Sequence, residues 1–242
     1  ASGTILVLPM ASASSDSGKS SVAGWKEYGI NARALVVNRE EAMRADTAAL
    51  FKGVTGIWFG GGDQSRLTAA IAGTPVEAAI RSRYQRAGTV VGGTSAGAAV
   101  MSRMMITGDE RNFGGKRPPS DSSQAFITID RNNVVTADGF GYIDNVIIDQ
   151  HFVRRRRHNR LVSLVLENPK LVGAGIDEST ALEVRPDGTW RVLGESVVVI
   201  YDARKARIGP ETKSLGASNV VMHILPSGAV YDPKTGQAIT EQ

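Results

Sequence analysis

The sequence contains no cysteine, which excludes disulfides, thiolate nucleophiles, iron–sulfur clusters and cysteine-based zinc sites. It has only three histidines, His151, His158 and His223, and none has metal-ligand spacing with the others. We therefore expect no metal site and no other cofactor. No apolar run approaches about 18 residues, so we also expect no membrane-spanning segment.

The residues that are present are typical of a globular protein, with 42% hydrophobic and 21% charged residues. A chain of 242 residues is long enough for one large α/β domain, and we expect residues 1–242 to form a single domain. The net charge of +4 favours anionic partners weakly. Residues 1–4 lead directly into a predicted strand and carry no signal peptide. A mature chain that has lost its leader would look the same. The expected localisation is therefore open between the cytoplasm and export.

The first hundred residues alternate short apolar runs with segments typical of helices. This alternation predicts a parallel sheet with helices on its faces, and such sheets bind ligands at the carboxyl ends of their strands. We expect strands over Thr4–Pro9, Ala34–Val37, Gly56–Phe59 and Thr89–Val91, and helices over Ser20–Tyr28, Asp46–Phe51 and Pro75–Ala87.

The second half begins with a polar loop, Gly108–Gln124, which either overhangs the predicted strand ends or is an insertion without function. Further strands are expected over Asp144–Asp149 and Val172–Asp177, with a helix over Val153–Glu167 between them. From residue 181 the pattern changes to short strands with a hairpin signal at Pro186–Gly188. We expect residues 181–242 to form an antiparallel extension of the same domain.

The stretch Gly93-Thr94-Ser95-Ala96-Gly97 fits the G-x-S-x-G nucleophile elbow, in which a serine lies on a sharp strand-to-helix turn. The pattern alone is weak, because a glycine-rich turn with an inert serine would read the same. Its place between a strand and a helix strengthens the prediction that Ser95 is a nucleophile. The backbone N–H of Ala96 would then form one side of an oxyanion hole.

A serine nucleophile needs a base and a group that orients the base. His151 is the best candidate base because it follows a predicted strand, as Ser95 does, whereas His158 lies among arginines on a predicted helix surface. His223 lies within an apolar strand and is expected to be structural. Asp177 and Glu178 follow another strand, and the residue pattern leaves the choice of orienting acid open between them.

Two further features suggest substrate contacts. Gly60–Gly62, followed by Asp63 and Gln64, is typical of a loop that lets the backbone approach a substrate, and Gly61 or Gly62 would complete the oxyanion hole. Arg154–Arg157 with Arg160 form the strongest charge feature. A solvated basic face and nucleic-acid binding are alternatives, but the position after His151 favours arginines that bind substrate carboxylates.

Taken together, four motifs resemble those of the cyanophycinases, serine peptidases of the family that also holds the dipeptidase E-type aspartyl dipeptidases. The resemblance runs in order from about Ile5 to the C-terminus. The motifs are Gly61-Gly62-Asp63-Gln64, Gly92-Gly93-Thr94-Ser95-Ala96-Gly97-Ala98, Asp149-Gln150-His151-Phe152 with spaced arginines, and Gly175-Ile176-Asp177-Glu178.

The resemblance implies a flavodoxin-like fold, related to the class I glutamine amidotransferases, and a homodimer. It implies exopeptidase cleavage of cyanophycin, a polyaspartate with arginine on each β-carboxyl, to β-Asp-Arg dipeptides. It assigns Ser95 as nucleophile, His151 as base and Glu178 rather than Asp177 as third member. The implied substrate contacts are Gln64, Asp149, Gln150, Arg155, Arg157 and Arg160. Asp63, which follows the glycine loop, is a further predicted contact.

The sequence departs from the cyanophycinase pattern in two places. Cyanophycinases usually carry a further strand and helix before the segment that matches Ile5, and the loop 108–124 is longer than expected. These departures leave two alternatives open beside the polymer: a dipeptidase for short aspartyl peptides with the same triad, and an inactive anion-binding relative. We expect neither nucleic acid nor a membrane as a partner. The expected ligand is the substrate, cyanophycin or a peptide that contains β-Asp-Arg.

Overall fold

The structure is a computed structural model that describes residues 3–86, 88–111 and 126–239. The chain divides into two compact units. The first unit comprises Ala1–Thr107 with Ala137–Asp144, and the second comprises Gly108–Thr136 with Asn145–Gln242. Most of the loop predicted over 108–124 lies outside the described residues. Its first three residues, 108–110, are the last residues of a strand.

A parallel four-stranded sheet, in the order β2-β1-β3-β4, forms the centre of the first unit. The apolar run Leu6–Leu8 is fully buried, as a strand of such a sheet requires. The elements in chain order are β1 (Thr4–Leu8), α1 (Ser17–Glu27), β2 (Ala32–Ala34), α2 (Arg39–Arg44), α3 (Thr47–Leu50), β3 (Val54–Phe59), α4 (Gln64–Ile71), α5 (Pro75–Gln85), β4 (Val90–Gly93) and α6 (Ala96–Ala99).

The second unit contains a mixed sheet in the order β14-β11-β8-β7, in which only β7 and β8 are parallel. A second sheet, β16-β15-β10-β9, is antiparallel. The elements are β7 (Val146–Gln150), α7 (His158–Glu167), β8 (Val172–Ile176), β9 (Thr180–Val184), β10 (Trp190–Gly194), β11 (Val197–Asp202), β12 (Arg207–Ile208), β13 (Ala217–Ser218), β14 (Val221–Pro226), β15 (Val230–Asp232) and β16 (Gln237–Ile239).

Two further strands, β5 (Met104–Glu110) and β6 (Val134–Asp138), pair with each other. The mixed α/β class and the parallel sheet of the first half are therefore confirmed. The hairpin predicted at Pro186–Gly188 is also confirmed, because β9 and β10 pair around it and Gly188 has a φ of 87°. Among the described helices, none is long and apolar enough to cross a bilayer.

Several predicted boundaries differ from the structure. Helix α1 begins at Ser17 instead of Ser20, and β2 ends at Ala34, where Ala34–Val37 was expected. Val36 is 66% exposed, so its apolar side chain does not mark a core strand. Helix α2, which the pattern did not predict, follows at once with Asn38 and Glu41 in a capping box.

The prediction of a helix from Val153 is wrong, because α7 begins at His158. His151 and Arg156 both have positive φ, 50° and 52°, which a continuous helix cannot include. Residues 151–156 form turns instead. Arginines 154–156 therefore precede the helix, whereas the prediction placed them within it.

Candidate active site

The elbow at Ser95 lies in the first unit, between β4 and α6. Ser95 has φ 54° and ψ −114°, a conformation that side-chain-bearing residues rarely adopt. The flanking glycines explain how the turn is enforced. A methyl group at Gly93 would overlap the carbonyl of Gly97, and one at Gly97 would overlap the carbonyl of Phe59. The chain therefore turns sharply between β4 and α6 with Ser95 at the tip of the turn, and the role of Ser95 as a nucleophile stays a prediction.

The glycine loop lies against this elbow. A methyl carbon placed on Gly61 would lie 3.3 Å from Cβ of Ser95, so the loop backbone runs beside the serine. Gly62 has φ 138° and faces Ala11, whose carbonyl accepts a hydrogen bond of 2.9 Å from the Asp63 N–H. The first unit thus brings Ser95, Ala96 and the glycine loop together, as an oxyanion hole requires.

The two polar residues after the glycines have contacts within the protein. Asp63 caps α4, because its carboxylate accepts a 2.8 Å hydrogen bond from the N–H of Ser65. Gln64 is buried, and its amide donates to the carbonyls of Ile106 and Thr107 at 2.5 and 2.9 Å. Both side chains therefore hold the loop and its helix in place.

His151 and Glu178 lie at the ends of two neighbouring parallel strands in the second unit. His151 is the first residue after β7, Glu178 is the second residue after β8, and Gln150 pairs with Ile176 in the sheet. Nδ1 of His151 lies 2.9 Å from Oε1 of Glu178. Since a carboxylate accepts the Nδ1 proton, the tautomer of the imidazole has its lone pair on Nε2, the arrangement of a general base.

The environment of His151 keeps it neutral. Burial lowers the pKa of His151 below 6.5, and the charges of Arg155 and Arg157 lower it further. The hydrogen bond and the negative charge of Glu178 raise the pKa but do not outweigh these effects. A neutral imidazole at neutral pH can accept a proton, which is what a base must do.

Asp177, the other candidate acid, has a different set of partners. One oxygen accepts the N–H groups of Val153 and Arg154 at 3.1 and 2.9 Å, and the other accepts the Ser196 hydroxyl at 2.8 Å. Burial raises its pKa, but the hydrogen bonds outweigh burial and hold the pKa below 3.8. The geometry thus gives the partnership with His151 to Glu178.

The predicted substrate contacts of the second unit form a buried network. Asp149 and Arg160, 1% and 2% exposed, make a bidentate ion pair in which Nε of Arg160 lies 2.6 Å from Oδ2. Arg157 donates from Nη1 to the backbone and side-chain oxygens of Gln150 at 2.8 and 2.9 Å. Burial and the charge of Arg160 lower the pKa of Arg157 to about 10, so it remains charged at neutral pH.

Arg155 differs from the other two arginines because it is only half-buried. Its backbone N–H donates to the carbonyl of His151 at 2.9 Å, which closes the turn after the histidine. Its charge lies near enough to lower the pKa of His151. Of the three predicted arginines, Arg155 is therefore the one with exposed surface for a ligand.

The two remaining histidines have structural surroundings. His158 is half-buried at the start of α7, not on an open helix surface, and its Nδ1 lies 2.8 Å from the Tyr201 hydroxyl. Burial lowers the pKa of His158 as well. His223 lies in β14 with its ring against Tyr231. No local pattern indicated the His158–Tyr201 contact, because the two residues are far apart in the chain.

Sequence reasoning also missed the contacts of Asp177 and the ion pair of Asp149 with Arg160. The only signal for the ion pair was an acid at the end of an apolar strand with basic residues after it. Such a charge must be paired when it is buried. The turn between His151 and Arg157 carried no signal, since its course depends on hydrogen bonds to the Asp177 carboxylate beyond the end of β8.

The chain is similar to known peptidases. The family model described as peptidase family S51 matches residues 1–192. The cyanophycinase of Synechococcus elongatus is 35% identical over 208 residues, which cover 84% of this chain and 60% of that protein. The cyanophycinase of Geminocystis herdmanii is 37% identical over 188 residues, covering 76% and 64%.

The chain thus spans about six tenths of the length of these curated relatives. Among solved structures, a peptidase from an acI-B1 actinobacterium has a similar fold, with a TM-score of 0.64 and 23% identity over 98% of this chain and 83% of that one. The family model covers well over half of the sequence, and the elbow it includes has the geometry described above. This chain belongs to peptidase family S51.

Proposed function

We propose that the protein is a serine exopeptidase that hydrolyses cyanophycin, multi-L-arginyl-poly-L-aspartate, to β-Asp-Arg dipeptides through an acyl-enzyme on Ser95. The observation that carries the proposal is the 2.9 Å bond between His151 Nδ1 and Glu178. In serine hydrolases the base is a histidine oriented by a carboxylate in this way, and the strained turn at Ser95 is the proposed source of the nucleophile.

In the proposed reaction, Nε2 of His151 takes the Ser95 proton while Oγ attacks the scissile carbonyl. The oxyanion accepts hydrogen bonds from the N–H groups of Ala96 and of Gly61 or Gly62. Collapse breaks the C–N bond, and the imidazolium returns the proton to the leaving amine. Water then attacks the ester with His151 again as base, which releases the acid product and restores Ser95.

The substrate assignment is supported by the names of the relatives and by the basic residues after His151. Each arginyl branch of cyanophycin carries a free α-carboxylate, and guanidinium groups bind carboxylates in a bidentate manner. We propose Arg155 as the contact that reaches substrate most directly. Contacts by Asp63, Gln64, Asp149, Gln150, Arg157 and Arg160 stay predictions, since each of these side chains has partners within the protein.

The proposal also includes a flavodoxin-like arrangement, as in class I glutamine amidotransferases, within one catalytic domain that forms a homodimer. The parallel order β2-β1-β3-β4 supports the arrangement. A dimer would be tested by the molar mass of the protein in solution, for which twice 25.7 kDa is expected.

The test of substrate class compares insoluble cyanophycin with short α- and β-aspartyl dipeptides. We expect the protein to release β-Asp-Arg from the polymer, detected by mass spectrometry. Cleavage of the short peptides without release from the polymer would favour the dipeptidase alternative. No cleavage of either, with anion binding retained, would favour the inactive relative.

A further inference from the structure

The turn that follows His151 is held by a carboxylate that does not touch the imidazole. Asp177 accepts the N–H groups of Val153 and Arg154 with one oxygen, at 3.1 and 2.9 Å. These are the second and third residues after His151, so the carboxylate fixes the course of the chain just beyond the base. Because the acceptor is charged, these hydrogen bonds are stronger than bonds between neutral groups.

The same carboxylate connects this turn to a third segment. Its other oxygen accepts the Ser196 hydroxyl at 2.8 Å, in the turn between β10 and β11. The N–H of Ser196 in turn donates to the Thr180 hydroxyl at 3.1 Å, which itself donates to the carbonyl of Glu178 at 3.0 Å. The backbones on both sides of the His151–Glu178 bond are thus anchored through Asp177 and its neighbours.

This anchoring matters because the backbone around the pair has unfavourable conformations. His151 and Ser179 have φ of 50° and 53°, in the left-handed region. Such residues persist only where surrounding contacts fix them. Without the hydrogen bonds that Val153 and Arg154 donate to Asp177, we expect the turn to relax to a more common conformation and carry the imidazole away from Glu178.

We propose that Asp177 is a positioning residue for His151, which holds the imidazole on Glu178 by fixing the turn at Val153 and Arg154. It acts through the backbone and contacts neither substrate nor the reacting atoms. The inference rests on the proposed function, since it concerns the base of that reaction. The two adjacent acids then have different roles, because Glu178 orients the imidazole and Asp177 orients the chain that carries it.

The test is a double-mutant cycle on the pKa of His151, measured by NMR titration of labelled histidine and assigned with a His151→Asn variant. Glu178→Gln alone removes the negative charge and leaves a neutral amide oxygen as the acceptor, so it should lower the pKa. In an Asp177→Ala background the same substitution should change it little, because the bond is already lost. An equal shift in both backgrounds would overturn the proposal.

Asp177→Asn keeps the proposal testable if the alanine variant does not fold. Asparagine retains an oxygen for the two N–H groups, and its amide can donate to Ser196. We expect this variant to keep the full effect of Glu178→Gln on His151. Loss of that effect in a folded asparagine variant would contradict a role through geometry.

Kinetics provide the second readout. Asp177→Ala should lower kcat on the order of 10²-fold because the base is misplaced, and it should also raise KM because Arg155, the proposed substrate contact, lies in the same turn. Asp187→Ala is the matched control, since Asp187 also accepts bonds within a turn of the second unit, from the N–H and hydroxyl of Thr189. It should leave kcat and the His151 pKa unchanged, and an equal loss there would overturn the proposal.

The measurements separate this inference from the proposed function. If Ser95→Ala keeps full activity, the proposed reaction is wrong, whereas the NMR cycle still reports on Asp177. If Ser95→Ala is inactive while Asp177→Ala equals the wild type in kcat and in the NMR cycle, only the positioning role is wrong.

Discussion

Ser95 holds a backbone conformation that costs about 1–3 kcal/mol elsewhere in proteins, and the residues around it leave little alternative. Gly93 and Gly97 approach other backbone so closely that neither position accepts a side chain. The strain is therefore imposed by packing of backbone on backbone. It keeps the hydroxyl at the tip of the turn, where a nucleophile is accessible to a carbonyl.

Gly97→Ala tests whether this close packing shapes the elbow. The added methyl group would overlap the Phe59 carbonyl, so we expect a loss of about 1–3 kcal/mol in the free energy of unfolding and a loss of activity. Gly24→Ala in α1 is the control, because a methyl group there meets no atom within 4 Å. It should stabilise the protein by up to about 1 kcal/mol, and urea unfolding of both variants compares them.

The pKa of His151 predicts the pH dependence of the reaction. Burial lowers this pKa below 6.5, and the base acts only when neutral, so kcat/KM should fall with decreasing pH around a midpoint below 6.5. Glu178→Gln should move the midpoint to still lower pH and reduce the plateau. A midpoint above 6.5, or one that Glu178→Gln leaves in place, would contradict the assignment of His151 and Glu178.

Strand β7 and helix α7 are joined by a buried ion pair between Asp149 and Arg160. Arg157 lies 3.7 Å from the same carboxylate, so the single negative charge of Asp149 compensates the charges of two buried arginines. Removing one partner of a buried pair leaves an uncompensated charge. The ion pair therefore has a structural role whether or not Asp149 also reaches substrate.

Asp149→Ala should lower the free energy of unfolding by about 3–5 kcal/mol in the absence of substrate. Glu40→Ala is a suitable control, because it breaks an exposed pair with Arg44 and should cost no more than about 0.5 kcal/mol. Urea unfolding measures both. If the two variants lose the same small amount, Asp149 is not needed for the fold and its predicted role in substrate binding gains support.

The elements near the site differ in how far the sequence could predict them. The strand-to-helix turn at Ser95 was predictable because its glycines and its apolar strand are local signals, and Pro75 marked the start of α5 in the same way. The turn before α7 was not predictable, since the chain at Val153 and Arg154 is held by the Asp177 carboxylate, which lies at least 23 residues away in the sequence. The choice of Glu178 over Asp177 came from a family resemblance, and the 2.9 Å bond to His151 agrees with it.

At the scale of the whole molecule, the two compact units contribute different parts of the proposed reaction. The first holds Ser95 with the glycine loop, and the second holds His151 with Glu178. The family model spans both units up to residue 192. Membership of peptidase family S51 therefore applies to both units. That the polymer is the substrate is a proposal, which the following measurement tests.

The most direct measurement of the central claim is the rate of β-Asp-Arg release from insoluble cyanophycin by the wild type and by Ser95→Ala and His151→Ala. His223→Gln is the control, because it changes a histidine outside the proposed triad. We expect both triad variants to lose at least about 10⁴-fold in rate and His223→Gln to keep wild-type activity. Release by Ser95→Ala at the wild-type rate would contradict an acyl-enzyme on Ser95.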